Sequence, residues 1–260
     1  MMKNIGDHFG TKRFYDKEAI DYDCKRWSCE IGRYGDATQK EILLSFDDIN
    51  PKNKKNENIL EIGIGTGRIT SFLSQRYAKI IGVDFSQVMI KICREKLSNL
   101  CEKGKLRLIN CNALALPFVD ASFKDIISIN VFSHISECES VILEISRVLK
   151  PGGFLVMNFP NLLSFYLPVG FYVNSRKKSV KGTVYSHWYR LDEIRRITSK
   201  ASLKIKMVKG QIHYPSLVKE KNGYLFKLIN FLNKACKDSV LKYICPTLFI
   251  LCKKVGANKS

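Results

Sequence analysis

The sequence contains no Cys-x-x-Cys pair. Its nine cysteines fall at irregular spacings, which argues against a disulfide framework and against a zinc site, and the four histidines form no metal-ligand cluster. An apolar leader is also missing: the opening residues MMKNIGDHFGTKR are unlike a secretory signal. No apolar run is long enough to cross a bilayer. The longest, Leu162–Val173, is broken by Pro168 and Gly170. These absences speak against a disulfide-stapled secreted protein and an integral membrane protein. A cytoplasmic, reducing compartment is the expected location.

Acidic residues are scarce towards one end. Residues 161–260 hold 20 Lys and Arg against four acids (Asp192, Glu193, Glu220 and Asp238), so this part carries +16 of the formal net charge of +19. Such asymmetry points to an anionic partner, whether nucleic acid such as RNA, an acidic small molecule or an anionic lipid surface, or else to a solvated lysine-rich face. The remaining composition is ordinary, with 45% hydrophobic and 26% charged residues. A chain of 260 residues can bury one α/β core with modest appended segments.

Residues 1–50 form a polar segment dotted with aromatics, followed by the loop-like stretch NPKNKKNEN. From Asn58 onward the pattern is regular. NILEI reads as a buried strand, GIGTGR as a glycine-rich turn, and Arg68–Tyr77 as a helix with Ile69, Phe72, Leu73 and Tyr77 on one side. KIIGVD, LRLIN, DIISIN and FLVMNF read as four further strands. Between them lie a helix capped by Ser86 and a helix ended by Pro151-Gly152-Gly153. Leu191–Ala201 (helix), LKIKMV (strand), Gly223–Lys237 (helix) and TLFILCKK (strand) complete the chain. Strands alternating with amphipathic helices predict a doubly wound, Rossmann-like α/β fold with a seven-stranded, mainly parallel sheet.

The chemistry is carried by Glu61-Ile-Gly63-Ile-Gly65-Thr-Gly67-Arg68, at the first strand-to-helix turn. In an open α/β sheet the ligand lies at the carboxyl ends of the strands, beside strand one. Glycines there turn the chain sharply and admit a ligand close to backbone. Asp84 ends the second strand 21 residues after Gly63, where a carboxylate can accept both hydroxyls of a ribose. Dinucleotide binding uses the same architecture, but with the pattern GxGxxG and a pyrophosphate on the helix N-terminus. Here Arg68 replaces the third glycine, and Glu61 would repel a pyrophosphate.

ILEIGIGTGR, IGVDFSQVMI, CNALALPF, SFKDIIS and RVLKPGGFLV occur in that order across residues 58–160. Together they resemble the successive motifs of class I S-adenosylmethionine-dependent methyltransferases, in their type 11 branch. YRLDEIRRITSKASLKI is similar to the segment before strand six in that branch. The resemblance implies a lid over residues 1–50 and a methyltransferase domain over 51–260. Within the latter, 58–160 would be the cofactor-binding half, and 160–190 and 210–245 acceptor-side insertions. It further implies that Gly63, Gly65 and Gly67 cradle the methionine part of S-adenosyl-L-methionine, with Glu61 near its amino group. By the same likeness Asp84 would bind the ribose, Phe85 would lie by the adenine, Asn112 and Ala113 would meet the adenine edge, and Asn130 would lie near the sulfonium.

Two residues depart from the family pattern. Asn112 stands where Asp is usual; its amide oxygen can still accept from the adenine amino group. Lys124 replaces the usual Asp of SFD, with Asp125 one place later, which predicts a local rearrangement. Methyl transfer needs no covalent enzyme intermediate, and a base only for some acceptors. His134 and His187 are the two candidates, each also readable as a packing residue, so no catalytic residue is fixed. Of the lid aromatics Phe14, Tyr15, Tyr22, Trp27 and Tyr34, some should reach the site. The expected acceptor is a small molecule such as a metabolite, sugar or quinone- or lipid-like compound. RNA is the alternative, favoured by the basic C-terminal part, and a binding protein without turnover is a third reading. Helix 223–237 carries Leu225, Leu228, Ile229 and Leu232 with lysines around them, which suits either an interfacial helix on anionic lipid or ordinary packing.

Overall fold

A computed structural model describes residues 6–46, 54, 57–175, 186–213, 223–236 and 238–256. Seven strands form one sheet in the order β3-β2-β1-β4-β5-β7-β6. Strands β1 (Asn58–Ile62), β2 (Lys79–Asp84), β3 (Leu106–Asn110), β4 (Phe123–Ser128) and β5 (Leu149–Pro160) pair in parallel. Strand β7 (Thr247–Lys254) lies antiparallel between β5 and β6 (Leu203–Gln211). The winding starts at β1, runs outward to β3 and returns to β4, so the order reverses between β1 and β4. A ligand crevice belongs at that reversal. The doubly wound α/β sheet expected from the sequence is the one observed.

The central strands are largely apolar on both sides because helices cover both faces. Leu60, Ile62, Ile126 and Leu155 pack with Val141, Ile142 and Ile145 of α7 (Cys138–Val148) and Ile194 and Ile197 of α9 (Leu191–Lys200). On the other face Ile59, Ile80, Ile127 and Val156 meet Ile42 and Leu43 of α3 (Glu30–Leu44), Ile69 and Leu73 of α4 (Arg68–Leu73), and Ile90 and Cys93 of α5 (Gln87–Lys96). Ser86 caps α5 by accepting from Met89 N at 3.1 Å, and a short α6 (Ser98–Glu102) follows it. The first two helices are α1 (Gly6–Glu18) and α2 (Tyr22–Trp27). Among the described residues no helix is long and apolar enough to cross a membrane.

Three details differ from the sequence reading. Helix α4 ends at Leu73, not Tyr77; Tyr77 is drawn beneath the sheet, where its hydroxyl donates to Asp125 Oδ2 at 3.3 Å. Helix α7 ends at Val148, before Pro151-Gly152-Gly153, and those residues belong to β5. There the register against β4 shifts between Phe123 and Asp125, and a Cβ on Gly153 would stand 2.6 Å from the Lys124 carbonyl. The shift turns Asp125 inward onto Lys54 Nζ at 2.8 Å and leaves Lys124 outside, paired with Glu57 at 2.6 Å. The two residues at the departure thus take different partners. Third, α8 (Leu167–Ser175) was not foreseen; its Pro168 sits in the first turn, where a missing N–H costs nothing. The basic run Arg176-Lys177-Lys178-x-x-Lys181 lies outside the described residues.

Candidate active site

After β1 the chain turns through Gly63, Gly65 and Gly67, all at positive φ (71°, 55° and 85°). Their surroundings differ. A Cβ on Gly63 would meet Val131 Cγ2 at 2.2 Å, and one on Gly67 would meet Leu97 Cδ1 at 2.6 Å. At Gly65 no atom of the described residues lies within 4 Å. That glycine therefore presents bare backbone to the cavity beside it.

Asp84, at the carboxyl end of β2, accepts from Gly65 N at 2.8 Å and from Ser86 N at 2.9 Å. One carboxylate thus shapes the glycine turn and faces the cavity. Burial pushes its pKa up, opposed by those amide hydrogen bonds. Glu61 is buried and accepts from Thr70 Oγ1 at 2.7 Å. Burial pushes its carboxyl up to about 8, with Thr70 and the nearby Arg68 pulling the other way.

Past β3, Asn112 Oδ1 accepts from Leu114 N at 3.0 Å, so the oxygen expected to meet adenine also holds its own turn. Phe85 lies under Lys12 Nζ, 5.3 Å from the ring centroid. Asn130 follows β4 at φ 61°. Its N–H donates to Asn158 Oδ1 at 2.6 Å, and its own Oδ1 accepts from Asn158 Nδ2 at 2.8 Å and Gln39 Nε2 at 3.4 Å.

Glu61, Gly63, Gly65, Asp84, Phe85, Asn112, Ala113, Asn130 and His134 all line one cavity. Gly67 does not; it packs against Leu97 and Cys93 instead. His134 ends a single 3₁₀ turn and meets the Tyr15 ring edge-on at 5.5 Å. His187 is away from the cavity wall. Its N–H donates to Ser133 O at 2.9 Å, its ring packs on Tyr189, and Nε2 lies 3.6 Å from Glu193 Oε1. That imidazole holds the Glu193 carboxyl below its usual value.

The opposite wall is the N-terminal segment. Tyr15, Tyr22 and Trp27 line the cavity, whereas Tyr34 faces α10 (Gly223–Cys236), whose Asn233 Nδ2 donates to its hydroxyl at 2.9 Å. The described parts of 160–190 and 210–245, expected to build an acceptor pocket, contribute nothing to this wall. Polar ties fasten α1–α3 onto the cavity loops. Ser86 Oγ donates to Asp16, Thr66 Oγ1 to Asp23 at 2.7 Å, and Arg68 to both Asp36 and Gln39. The Arg68 guanidinium also lies 4.0 Å over the Trp27 ring. Asp16, Asp23, Asp36, Gln39 and Asn158 carried no signal in the sequence. Among the described residues no three His, Cys, Asp or Glu side chains come together to hold a metal.

Comparison with known proteins places the fold among methyltransferases. Residues 60–157 match the model of a methyltransferase domain, the type 11 family. That stretch is thus similar to a type 11 methyltransferase domain, as in class I S-adenosylmethionine-dependent methyltransferases. Over 166 residues it is 31% identical to the ubiquinone/menaquinone biosynthesis C-methyltransferase UbiE of Wigglesworthia glossinidia brevipalpis, covering 60% of this chain and 65% of that relative. It is 28% identical to a phosphatidylethanolamine N-methyltransferase of Cereibacter sphaeroides, over 54% of this chain and 67% of the relative. Its fold matches that of a SAM-dependent methyltransferase from Thermotoga maritima with a TM-score of 0.64 at 21% identity, over 93% of this chain and 99% of the other. The similarity to the UbiE relative thus spans less than two thirds of its length, 65%.

The residues present fit S-adenosylmethionine. Gly65 is a cradle that any Cβ would fill, and Trp27 Nε1, in the opposite wall, is buried without a hydrogen-bond partner among the described residues. A donor so placed suits a ligand carboxylate.

Proposed function

We propose that this protein transfers a methyl group from S-adenosylmethionine to a small, largely apolar acceptor of the quinone or lipid type. The observation that carries the reading is the mixed lining of the cavity. Glu61, Gly65 and Asp84 are suited to the polar cofactor, and Val131, Ile135 and the Tyr15 and His134 rings, which meet edge-on, add largely apolar surface for an acceptor. The names of the two relatives, a quinone C-methyltransferase and a phospholipid N-methyltransferase, favour the same acceptor class.

The bound cofactor supplies an electrophilic methyl group on a sulfonium. The protein's part is to bind, orient and keep water out. Asp84 accepts from the ribose hydroxyls while fixing the Gly65 turn. Glu61 balances the ammonium of the methionine part, and Asn112 and Ala113 meet the adenine edge. Asn130, held by Asn158 and Gln39, faces the reacting centre, and α1 and α2 close over it. His134 removes the acceptor's proton where the nucleophile carries one; His187, turned to Glu193, does not. Nine free thiols among the described residues support a cytoplasmic location.

A transfer assay with cofactor labelled on the methyl group separates the readings. Label should enter a lipid extract or quinone pool. Label in total RNA instead would select an RNA acceptor, and cofactor binding with no label in any pool would indicate a protein without turnover.

A further inference from the structure

Helix α10 turns the wrong face outward for a helix that only packs on its own domain. At 100° per residue, Ile229, Asn233 and Cys236 share one side, and all three are buried against the end of β6 and the 240–245 segment. Tyr224, Leu228 and Phe231 share the opposite side, and are 89%, 52% and 67% exposed. Lys227 and Lys234 flank them on one edge. The neighbouring 3₁₀ turn Val240–Ile244 adds Val240, Leu241 and Ile244, all exposed. Phe165, whose N–H donates to the Ile244 carbonyl at 3.2 Å, is half-exposed and continues the patch.

A soluble monomer rarely leaves so many large apolar side chains exposed on neighbouring elements. We infer that the face of α10 and the 240–244 turn docks on an anionic membrane surface. Three features select that partner. Aliphatic tips such as Leu228, Val240 and Leu241 gain from hydrocarbon but neither stack on a nucleobase nor hydrogen-bond to one. Tyr224, Phe231 and the lysines suit the headgroup layer, where long cationic side chains reach phosphate. Pairing with a second copy would bring together two surfaces from a segment carrying +16. The acid described beside the patch, Asp238, is taken up by Lys209 Nζ at 3.0 Å.

The docking face is tied to the site. Asn233 and Asn230 of α10 both contact the Tyr34 hydroxyl of α3, and α3 carries Gln39 to Asn130 at the cavity. A lipid-like acceptor would therefore be met at the surface it comes from. This consequence rests on the proposed acceptor class; the docking itself does not.

The full-length protein is sedimented with vesicles of phosphatidylcholine alone or mixed with phosphatidylglycerol, at low and physiological salt. The protein should pellet with the mixed vesicles, more at low salt, and not with phosphatidylcholine. Leu228→Asp with Phe231→Asp should weaken this about tenfold or more, and Lys227→Glu with Lys234→Glu should abolish the preference for phosphatidylglycerol. Both positions of the first pair are exposed; Tyr224→Asp serves if that pair does not fold. No pelleting at low salt, or pelleting indifferent to these substitutions, overturns the inference. So does a dimer in sedimentation velocity, or an RNA gel shift, that the apolar substitutions abolish. Calorimetry with S-adenosylhomocysteine on the same variants should give wild-type affinity, so lost docking is distinguishable from a lost cofactor site.

Discussion

The Arg68 guanidinium donates to Gln39 Oε1 at 2.7 Å, joining the residue that follows the glycine turn to the third lid helix. The same side chain pairs with Asp36 and covers the Trp27 ring. Arg68→Met keeps the stem and loses the fork. Charge-assisted hydrogen bonds are worth about 1.5–3 kcal/mol, so S-adenosylhomocysteine should bind roughly ten- to hundredfold more weakly. Limited proteolysis should also cut α1–α3 faster. Unchanged affinity and cleavage would show that the lid closes without this tie.

At Asp84 the carboxylate serves two ends, the Gly65 turn and the expected ribose. Asp84→Ala should weaken S-adenosylhomocysteine binding by about ten- to hundredfold in calorimetry. Asp84→Asn, which retains one acceptor for the turn, should fall between. Wild-type affinity in Asp84→Ala would sink the ribose assignment.

Gly65→Val fills the one glycine of the turn that faces open space. A left-handed backbone costs a branched residue on the order of 1–3 kcal/mol, too little to unfold the domain. The variant should keep its circular dichroism and lose cofactor binding. A folded variant that still binds would mean that the cofactor lies elsewhere. NAD should compete in neither protein.

Glu61 predicts a pH dependence. Its folded carboxyl titrates near 8 against an ordinary 4.5, so the folded state holds a proton that the unfolded chain has released. Stability from this group is fully present below about 4.5 and is lost as pH rises through about 8. Without cofactor, the melting temperature should fall across that window, with Asp84 contributing in the same direction. In Glu61→Gln the decline should flatten. An ammonium in the site favours the charged carboxylate, so cofactor affinity should rise with pH in the wild type and not in Glu61→Gln. A melting curve with the same slope in both proteins would count against the Glu61 assignment.

Much of the sheet and half the site are legible in the sequence because they are local. Residues 61–68 make a turn from consecutive residues, and Asp84 follows at the end of the very next strand. The lid is different. Asp16, Asp23 and Asp36 find Ser86, Thr66 and Arg68, partners 70, 43 and 32 positions away, and no periodicity marks such pairs. Gln39 and Asn158 meet at Asn130 from opposite ends of the fold. Pro151-Gly152-Gly153 reads locally as a helix stop, yet the ladder between β4 and β5 carries the chain through it by shifting register. The stripe on α10 was visible, but periodicity does not say which side is buried. Asn233 satisfies the Ile212 backbone inside, and Leu228 is left out.

The place of β7 sets an order of assembly. Among the described residues β6 joins the sheet only through β7, a strand that follows it by 36 positions in sequence and inserts against the exposed edge of β5. Until Thr247–Lys254 arrives, β5 is an open edge and β6 has no partner, a state prone to pairing with other chains. The five parallel strands can wind progressively as they are synthesised. The antiparallel half is completed in one late event, which makes that closure the expected slow and aggregation-sensitive step of folding.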